Sequence, residues 1–258
     1  MILDDDARPQ AFREAMSSIY VGGTIKITGA DRHPETDQLL LDHVDLHAAS
    51  IVDIGASDGS TSLDLIEKLD SFERYTISDL YLSLSAVRVG RRTALFTEDG
   101  TCVLVVGPRA MAWPSLSVPV ALAYRPVVRR ASARLSSAST VLLLNPEVRQ
   151  RIARDSRVGY RTHDIFTAWD GETPDVIKVA NLLRRLYFDD VQLARALHVL
   201  RDSLPQGGHL LIVDNPRLAD PSPRAGLWRR EADRLVEVAR VGEPEIADLV
   251  GRVGREHA

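Results

Sequence analysis

Ile51-Val52-Asp53-Ile54-Gly55-Ala56-Ser57-Asp58-Gly59-Ser60-Thr61-Ser62 is the stretch from which the fold is read. A short apolar run carrying one acid breaks into a turn with two glycines, and a helical pattern follows. The pattern predicts a strand, a turn and a helix over Ser62 to Leu69. Gly55 and Gly59 let the backbone approach a ligand with no Cβ in the way. Ser60 or Thr61 is expected to cap the helix, whose free N–H groups favour an anionic ligand group. The expected occupant is a nucleoside-like cofactor.

Three readings of the turn compete. A dinucleotide-type G-x-G-x-x-G counted from Gly55 needs glycine at 57 and 60, where Ser57 and Ser60 stand. A nucleophile elbow, G-x-S-x-G, is matched letter for letter by Gly55-Ala56-Ser57-Asp58-Gly59. A triad on that scaffold also needs a later acid and histidine, and the late histidines are His209, beside a strand start, and His257, next to the chain end. The third reading is an acid-x-G-x-G-x-G pattern carried by Asp53, Gly55 and Gly59, with Ser57 in place of the middle glycine.

Downstream sequence favours the third. Tyr75-Thr76-Ile77-Ser78-Asp79 reads as a second strand ending in an acid, about twenty residues after the turn. Nucleoside-binding open sheets place a carboxylate there to accept hydrogen bonds from ribose hydroxyls. Tyr160 to Phe166, Asp175 to Leu183 and Leu204 to Asp214 follow as three further strand-bearing segments in order. With the turn, this series resembles the class I S-adenosylmethionine-dependent methyltransferases. The resemblance runs from about residue 48 to the end and leaves residues 82–140 unaccounted for.

The resemblance implies a doubly wound α/β fold with a mostly parallel, seven-stranded, Rossmann-like sheet finished by an antiparallel C-terminal hairpin. It implies S-adenosylmethionine as cofactor and S-adenosylhomocysteine as product. The implied cofactor-binding residues are Asp53, Gly55, Ser57, Gly59, Asp79, Asp164, Ile165 and Asn181, with Asp164 and Ile165 at the adenine ring. His163, Asn181 and Tyr187 are the candidates for a catalytic role, and no general base is singled out among them. Ser57 adds a side chain where the cofactor's amino-acid end would lie. The Asn/Asp-Pro-Pro-aromatic motif of amino-methyltransferases is absent after the fourth strand, where Ala180-Asn181-Leu182-Leu183 stands. That weakens an adenine or cytosine N-methyltransferase; with Tyr187-Phe188 the pattern more nearly resembles small-molecule methyltransferases and those that methylate protein carboxylates, and a small-molecule acceptor is expected, with bacterial secondary metabolism as one setting.

Composition narrows the setting. The chain has 258 residues, 45% of them hydrophobic, enough for one sizeable core with decoration. A net charge of -4 argues against a surface built for polyanions, so nucleic acid is not the expected partner. Cys102 is the only cysteine, which excludes an intrachain disulfide and a cysteine-rich zinc site, and no metal is expected. The acidic start Met1-Ile2-Leu3-Asp4-Asp5-Asp6 lacks the apolar run of a secretory signal, and Pro108, Arg109, Pro114, Pro119 and Arg125 interrupt the most apolar region. A cytoplasmic protein without a transmembrane segment is expected. Arginine supplies 29 of the 32 basic residues, and Lys26, Lys68 and Lys178 are read as part of that compositional bias.

The expected organisation is a helical leader over 1–47 and a methyltransferase domain over 48–258, with an insertion at about 82–140. In the leader, Pro9 to Ser18 and Thr36 to Val44 read as helical and Gly22 to Gly29 as extended. In the insertion, Arg92–Thr97 and Cys102–Val106 flank Glu98-Asp99-Gly100-Thr101 as a β-hairpin. A Val/Ala/Leu-rich stretch then runs into Arg129, Arg130 and Arg134, and Ser132 to Thr140 reads as a linker. This apolar segment offers a lid, a membrane-facing surface or a homodimer surface. In the tail, Leu227–Glu231 and Arg234–Arg240 read as strands joined at Ala232-Asp233. A helix after Pro244 carries Ile246, Leu249, Val250 and Val253 on one face.

Two alternatives remain at this stage. One is a non-enzymatic adenosylmethionine- or adenosylhomocysteine-binding protein whose insertion binds a partner. The other is a serine hydrolase using Ser57.

Overall fold

The computed structural model describes Met16 and residues 19–21, 24–25, 34–214 and 222–254. In chain order its elements are β1 (Tyr20–Val21), β2 (Thr24–Ile25), α1 (Pro34–His43), β3 (Ser50–Ile54), α2 (Ser60–Lys68), β4 (Arg74–Asp79) and β5 (Ser83–Val89). There follow β6 (Arg92–Phe96), β7 (Cys102–Val106), β8 (Met111–Ala112), α3 (Val118–Ser132), β9 (Ser139–Leu142), α4 (Pro146–Arg154), β10 (Val158–Thr162) and β11 (Val176–Ala180). The chain finishes with α5 (Asp190–Ser203), β12 (His209–Val213), β13 (Ala225–Glu231), β14 (Arg234–Val241) and α6 (Ala247–Val250). The helix expected over Pro9 to Ser18 lies outside the described residues apart from Met16, and the extended piece at Gly22 to Gly29 apart from Thr24–Ile25. The described residues form two compact units, one within 29–80 and 148–258, the other within 1–28 and 81–147.

The larger unit is built on a seven-stranded sheet in the order β10-β4-β3-β11-β12-β13-β14. Its first five strands are parallel, β13 is antiparallel to β12, and β14 is antiparallel to β13. This is a doubly wound α/β sheet with an antiparallel hairpin at one edge. Successive strands from β3 move outward on one side as far as β10, then β11 returns to the other side of β3. The reversal falls at the carboxyl ends of β3 and β11, the position where sheets of this kind bind ligands.

Parallel central strands are covered on both faces, so they read as near-continuous apolar runs, and β3 is buried at every position. Val52, Ile54, Ile177, Val179, Leu210 and Ile212 form one face and pack with Leu193, Leu197 and Leu200 of α5. Ile246, Leu249, Val250 and Val253 join the same core, with Ile246 just before the short α6 and Val253 beyond its end. The start of α5 is fixed by a capping box: Asp189 accepts from the Gln192 N–H at 2.8 Å, and Gln192 accepts from the Asp189 N–H at 3.1 Å. At the sheet edge the two-residue turn Ala232-Asp233 puts Ala232 at φ +52°, and the Gln206 side chain accepts its N–H at 2.8 Å.

The smaller unit is a five-stranded antiparallel sheet in the order β8-β7-β6-β5-β9. The hairpin read from the sequence is β6–β7, with Gly100 at φ +81° in its turn. The strands β5, β8 and β9 go beyond that reading, and the expected linker at Ser132 to Thr140 holds a 3₁₀ turn at Leu135–Ser137 and the first half of β9. Ser83-Leu84-Ser85-Ala86 at the start of β5 alternate polar and apolar, a period-two signal that the sequence reading passed over. Leu84, Ala86, Leu95 and Leu104 form the core on one face of this sheet. Val87, Ala94, Phe96 and Val105 form the other, against Tyr124, Val127, Val128 and Ala131 of α3.

Candidate cofactor-binding site

The turn after β3 is pinned from two sides. Gly55 N–H and Ala56 N–H both donate to the Ser78 carbonyl at the end of β4, at 2.8 and 3.0 Å. Ser57 N–H donates to Oδ2 of Asp79 at 2.9 Å. Gly55, Ser57 and Gly59 take φ of +77°, +58° and +78°, an alternation that carries the chain sharply from strand to helix. Gly59 itself is the residue before the first helical turn, and no side chain caps α2. The helix begins at Ser60, two residues earlier than expected, so neither Ser60 nor Thr61 is its cap. Asp58 instead accepts the Ser60 N–H at 3.0 Å in a local turn.

The glycines have specific neighbours. A Cβ on Gly55 would lie 2.7 Å from Cδ2 of Leu182, and one on Gly59 would lie 3.1 Å from Val148. The loop after β11 therefore closes directly over the first glycine. Asn181 in that loop is a second non-glycine residue in the left-handed region, at φ +58°. Its N–H donates to the Val213 carbonyl at 2.8 Å. Ser57 and Asn181 thus occupy strained conformations at the carboxyl ends of neighbouring strands, at the point where strand order reverses. Strain of this kind costs on the order of 1–3 kcal/mol per residue and collects at functional sites.

The remaining candidates divide. Asp53 points away from the strand ends: its side chain lies on the sheet face under α1 and α2, where Oδ2 accepts from Ser62 Oγ at 2.8 Å and Tyr75 Oη at 3.1 Å. It supports the turn from beneath. Ile165 is buried in the core with Val52 and Ile54. Asp164, one residue earlier, accepts the Phe166 N–H at 3.0 Å and shapes the loop after β10. His163 is buried and lies edge-on to Trp169 with ring centroids 5.0 Å apart. Burial depresses its pKa, opposed by Asp170 and Asp164, so the ring is neutral at pH 7. Tyr187 is half-buried and stacks edge-on with Phe188.

Two features escaped the sequence reading. Arg184, three residues past Asn181, forms a buried ion pair with Asp214, just past the end of β12. Lys178, in the middle of β11, is fully buried and donates to Asp37 of α1 at 2.7 Å. The signal for the second was present: a lone lysine in the apolar run Val176-Ile177-Lys178-Val179 has to find a carboxylate.

The Ser57 hydroxyl is buried and makes no hydrogen bond, and neither does that of Ser78. A buried hydroxyl without a partner costs about 1–3 kcal/mol, which a polar ligand group would return. The absence of any bond at Ser57 Oγ also bears on the nucleophile elbow. The left-handed φ suits that motif, but no histidine is bonded to Ser57, and His209 begins β12 at the opposite, amino-terminal edge of the sheet. Among the described residues, no three His, Cys, Asp or Glu side chains gather as a metal-binding group, and no helix is long and apolar enough to cross a membrane.

No family profile and no curated protein matches the chain. Among solved structures it is similar to an O-methyltransferase family 2 protein from Planctomyces limnophilus, with 16% identity and a TM-score of 0.38 over 70% of this chain and 38% of that one. It is similar to the N-methyltransferase NodS from Bradyrhizobium japonicum, with 19% identity and a TM-score of 0.36 over 71% and 66%. A third is human N-acetylserotonin methyltransferase in complex with SAM, with 12% identity and a TM-score of 0.36 over 70% and 34%. The chain spans about two-fifths of the length of the first of these and about a third of the last. The site's own residues are a strained turn with an unpartnered hydroxyl, a carboxylate fastened to that turn, and an asparagine loop closing over its first glycine.

Proposed function

We propose that the chain transfers a methyl group from S-adenosylmethionine to a small-molecule acceptor. The observation that carries this reading is the bond from Ser57 N–H to the Asp79 carboxylate at the reversal point of a doubly wound sheet. It fixes the cofactor turn and the ribose-binding acid as one unit before any ligand arrives. The residues fit the cofactor's chemistry. Asp79 stands where the two ribose hydroxyls would donate, the Ser57 hydroxyl can bond the amino-acid end, and Asn181 borders the position of the reacting group. When bound, the cofactor supplies a methyl group already activated by a sulfonium centre.

The protein's task is then chiefly positioning, which supplies up to about 7–11 kcal/mol by effective-molarity estimates. Asn181 orients through its amide, with its backbone held by the Val213 carbonyl. His163, kept neutral and packed on Trp169, shapes the wall rather than moving a proton. The acceptor being a small molecule is supported by the acidic net charge of the chain, which disfavours nucleic acid. A reducing, cytoplasmic setting suits the single buried thiol of Cys102.

Calorimetric titration with S-adenosylmethionine and S-adenosylhomocysteine tests the proposal. Wild-type protein binds both in the micromolar range, and Asp79→Ala weakens binding at least tenfold, as loss of charged hydrogen bonds to ribose requires. Absence of wild-type binding overturns it. Tight binding without methyl transfer to any offered acceptor turns the reading to a ligand-sensing protein. The left-handed φ of Ser57 keeps a serine hydrolase as the second reading, which requires an esterase activity that Ser57→Ala abolishes and adenosylmethionine does not affect.

A further inference from the structure

The smaller unit carries a helix whose outer side is unlike an ordinary solvated face. α3 lies on its sheet through Tyr124, Val127, Val128 and Ala131, and Arg92 sits over the Tyr124 ring at 5.8 Å. Its outward stripe, at helical spacing, is Val118, Leu122, Arg125 and Arg129. Val118 is 74% exposed and Leu122 62%, and Leu116, just before the helix, is 51% exposed. The outer face is therefore apolar in its first two turns and basic in its last two, where the exposed Arg130 and Arg134 continue it. Among the described residues, none of Arg125, Arg129, Arg130 and Arg134 pairs with a carboxylate.

Two ordinary explanations account for part of this. Arginines in a last helical turn complement the helix dipole, which covers Arg129 and Arg130 but neither Arg125 nor the apolar half. Single exposed apolar residues need no explanation, but Leu116, Val118 and Leu122 fall within seven positions and stand beside Pro119 and Ala123, both exposed. The surrounding charge is also one-sided. Residues 81–147 hold eight arginines against Glu98, Asp99 and Glu147, in a chain whose net charge is -4. Pro126 cannot donate within the helix, which leaves the Leu122 carbonyl without its usual bond on this same outer side.

We infer that the outer face of α3 docks on an anionic lipid surface, its apolar end entering the headgroup boundary and Arg125, Arg129, Arg130 and Arg134 meeting lipid phosphates. Apolar side chains beside unpaired arginines match both parts of such a surface, the acyl boundary and the negative charge. With so few apolar side chains the attachment is reversible. It does not depend on the methyl-transfer proposal, since no residue of the cofactor turn takes part.

Co-sedimentation of the full chain with phosphatidylcholine vesicles, with and without phosphatidylglycerol, tests this. Wild-type protein binds the mixed vesicles, binds pure phosphatidylcholine far more weakly, and is released by raised salt. Leu122→Glu abolishes binding, and Arg129→Ala with Arg130→Ala weakens it on the order of 20-fold, from about fivefold per arginine near an anionic surface. Arg229→Ala, an exposed arginine of the larger unit, binds as wild type. Thermal unfolding of each variant confirms that the fold persists. Wild-type protein that ignores anionic vesicles, or variants that bind as well as wild type, overturns the inference. So does a wild-type dimer in light scattering that Leu122→Glu converts to monomer without any vesicle binding, which assigns the face to a second copy of the chain.

Discussion

Lys178 and Asp53 stand opposite one another on adjacent parallel strands, in register, with Nζ 4.0 Å from Oδ2 and both side chains all but sealed from solvent. Asp37 of α1 takes the hydrogen bond of the ammonium at 2.7 Å, and Lys68 approaches its other oxygen at 3.6 Å. The cluster ties α1, α2, β3, β4 and β11 together directly beneath the turn between β3 and α2.

Lys178→Met is expected to cost about 3–5 kcal/mol, because it leaves two buried carboxylates facing each other without their cation. Adding Asp37→Leu removes one of the two carboxylates and restores part of the loss, Asp53 keeping its hydrogen bonds from Ser62 and Tyr75. Urea titrations of the single and double variants measure both values.

The same cluster gives a pH dependence. Burial pushes the Lys178 ammonium down, but the Asp37 and Asp53 carboxylates outweigh it and hold its pKa above the ordinary 10.5. A group raised in the folded state contributes stability that is complete below its unfolded value and lost as pH rises through its folded value. Wild-type stability therefore falls above about pH 10.5, and the Lys178→Met/Asp37→Leu variant lacks this contribution. Unfolding followed by circular dichroism across that range measures the difference.

Ser57→Gly separates strain from ligand contact. Glycine relieves the left-handed φ and removes the unpartnered hydroxyl, so the free protein gains about 1 kcal/mol or more. Cofactor affinity falls by about tenfold, the value of one lost hydrogen bond. Thermal unfolding and calorimetry read the two effects independently, and a stabilised variant with undiminished affinity would assign the serine no ligand.

Gly55→Ala meets two obstacles, the φ of +77° and the Leu182 side chain 2.7 Å from the new methyl. The expected cost is about 1–3 kcal/mol from the backbone conformation plus a steric part. Leu182→Ala in the same chain recovers the steric part alone, so a denaturation double-mutant cycle shows positive coupling between the two sites.

Cys102 reports on the smaller unit. Burial raises its thiol to about 11, so thiolate is scarce at pH 8 and the sulfur is covered. Its reaction with a disulfide reagent is expected to be slow in native protein and immediate in denaturant.

The larger unit was largely legible in the sequence because its strands are both short and apolar and its turns carry glycine. β3, β4, β11 and β12 fall within a residue or two of where their patterns place them, and the Ala232-Asp233 turn is where the tail pattern breaks. The smaller unit was legible only at its hairpin. β5 opens on the alternation Ser83-Leu84-Ser85-Ala86, which the reading passed over, and β9 opens on exposed Ser139 and Thr140, which leaves its apolar run short. At the site, residue spacing led to the β3–α2 turn and to Asp79, whose carboxylate accepts the Ser57 N–H. It could not show that Asp53 points into the sheet's underside or that Ile165 joins the core, because strand phase and loop packing decide which way a side chain faces.

The bond between Asp37 and Lys178 joins residues 141 positions apart. On a ribosome adding roughly 5–20 residues per second, the leader helix is made on the order of ten seconds before the strand it fastens to. During that interval Lys178 does not yet exist, and of the two lysines that approach Asp37 only Lys68 of α2 has been made. The buried contact that fastens the first helix to the sheet thus waits for the fourth parallel strand of the series to be synthesised.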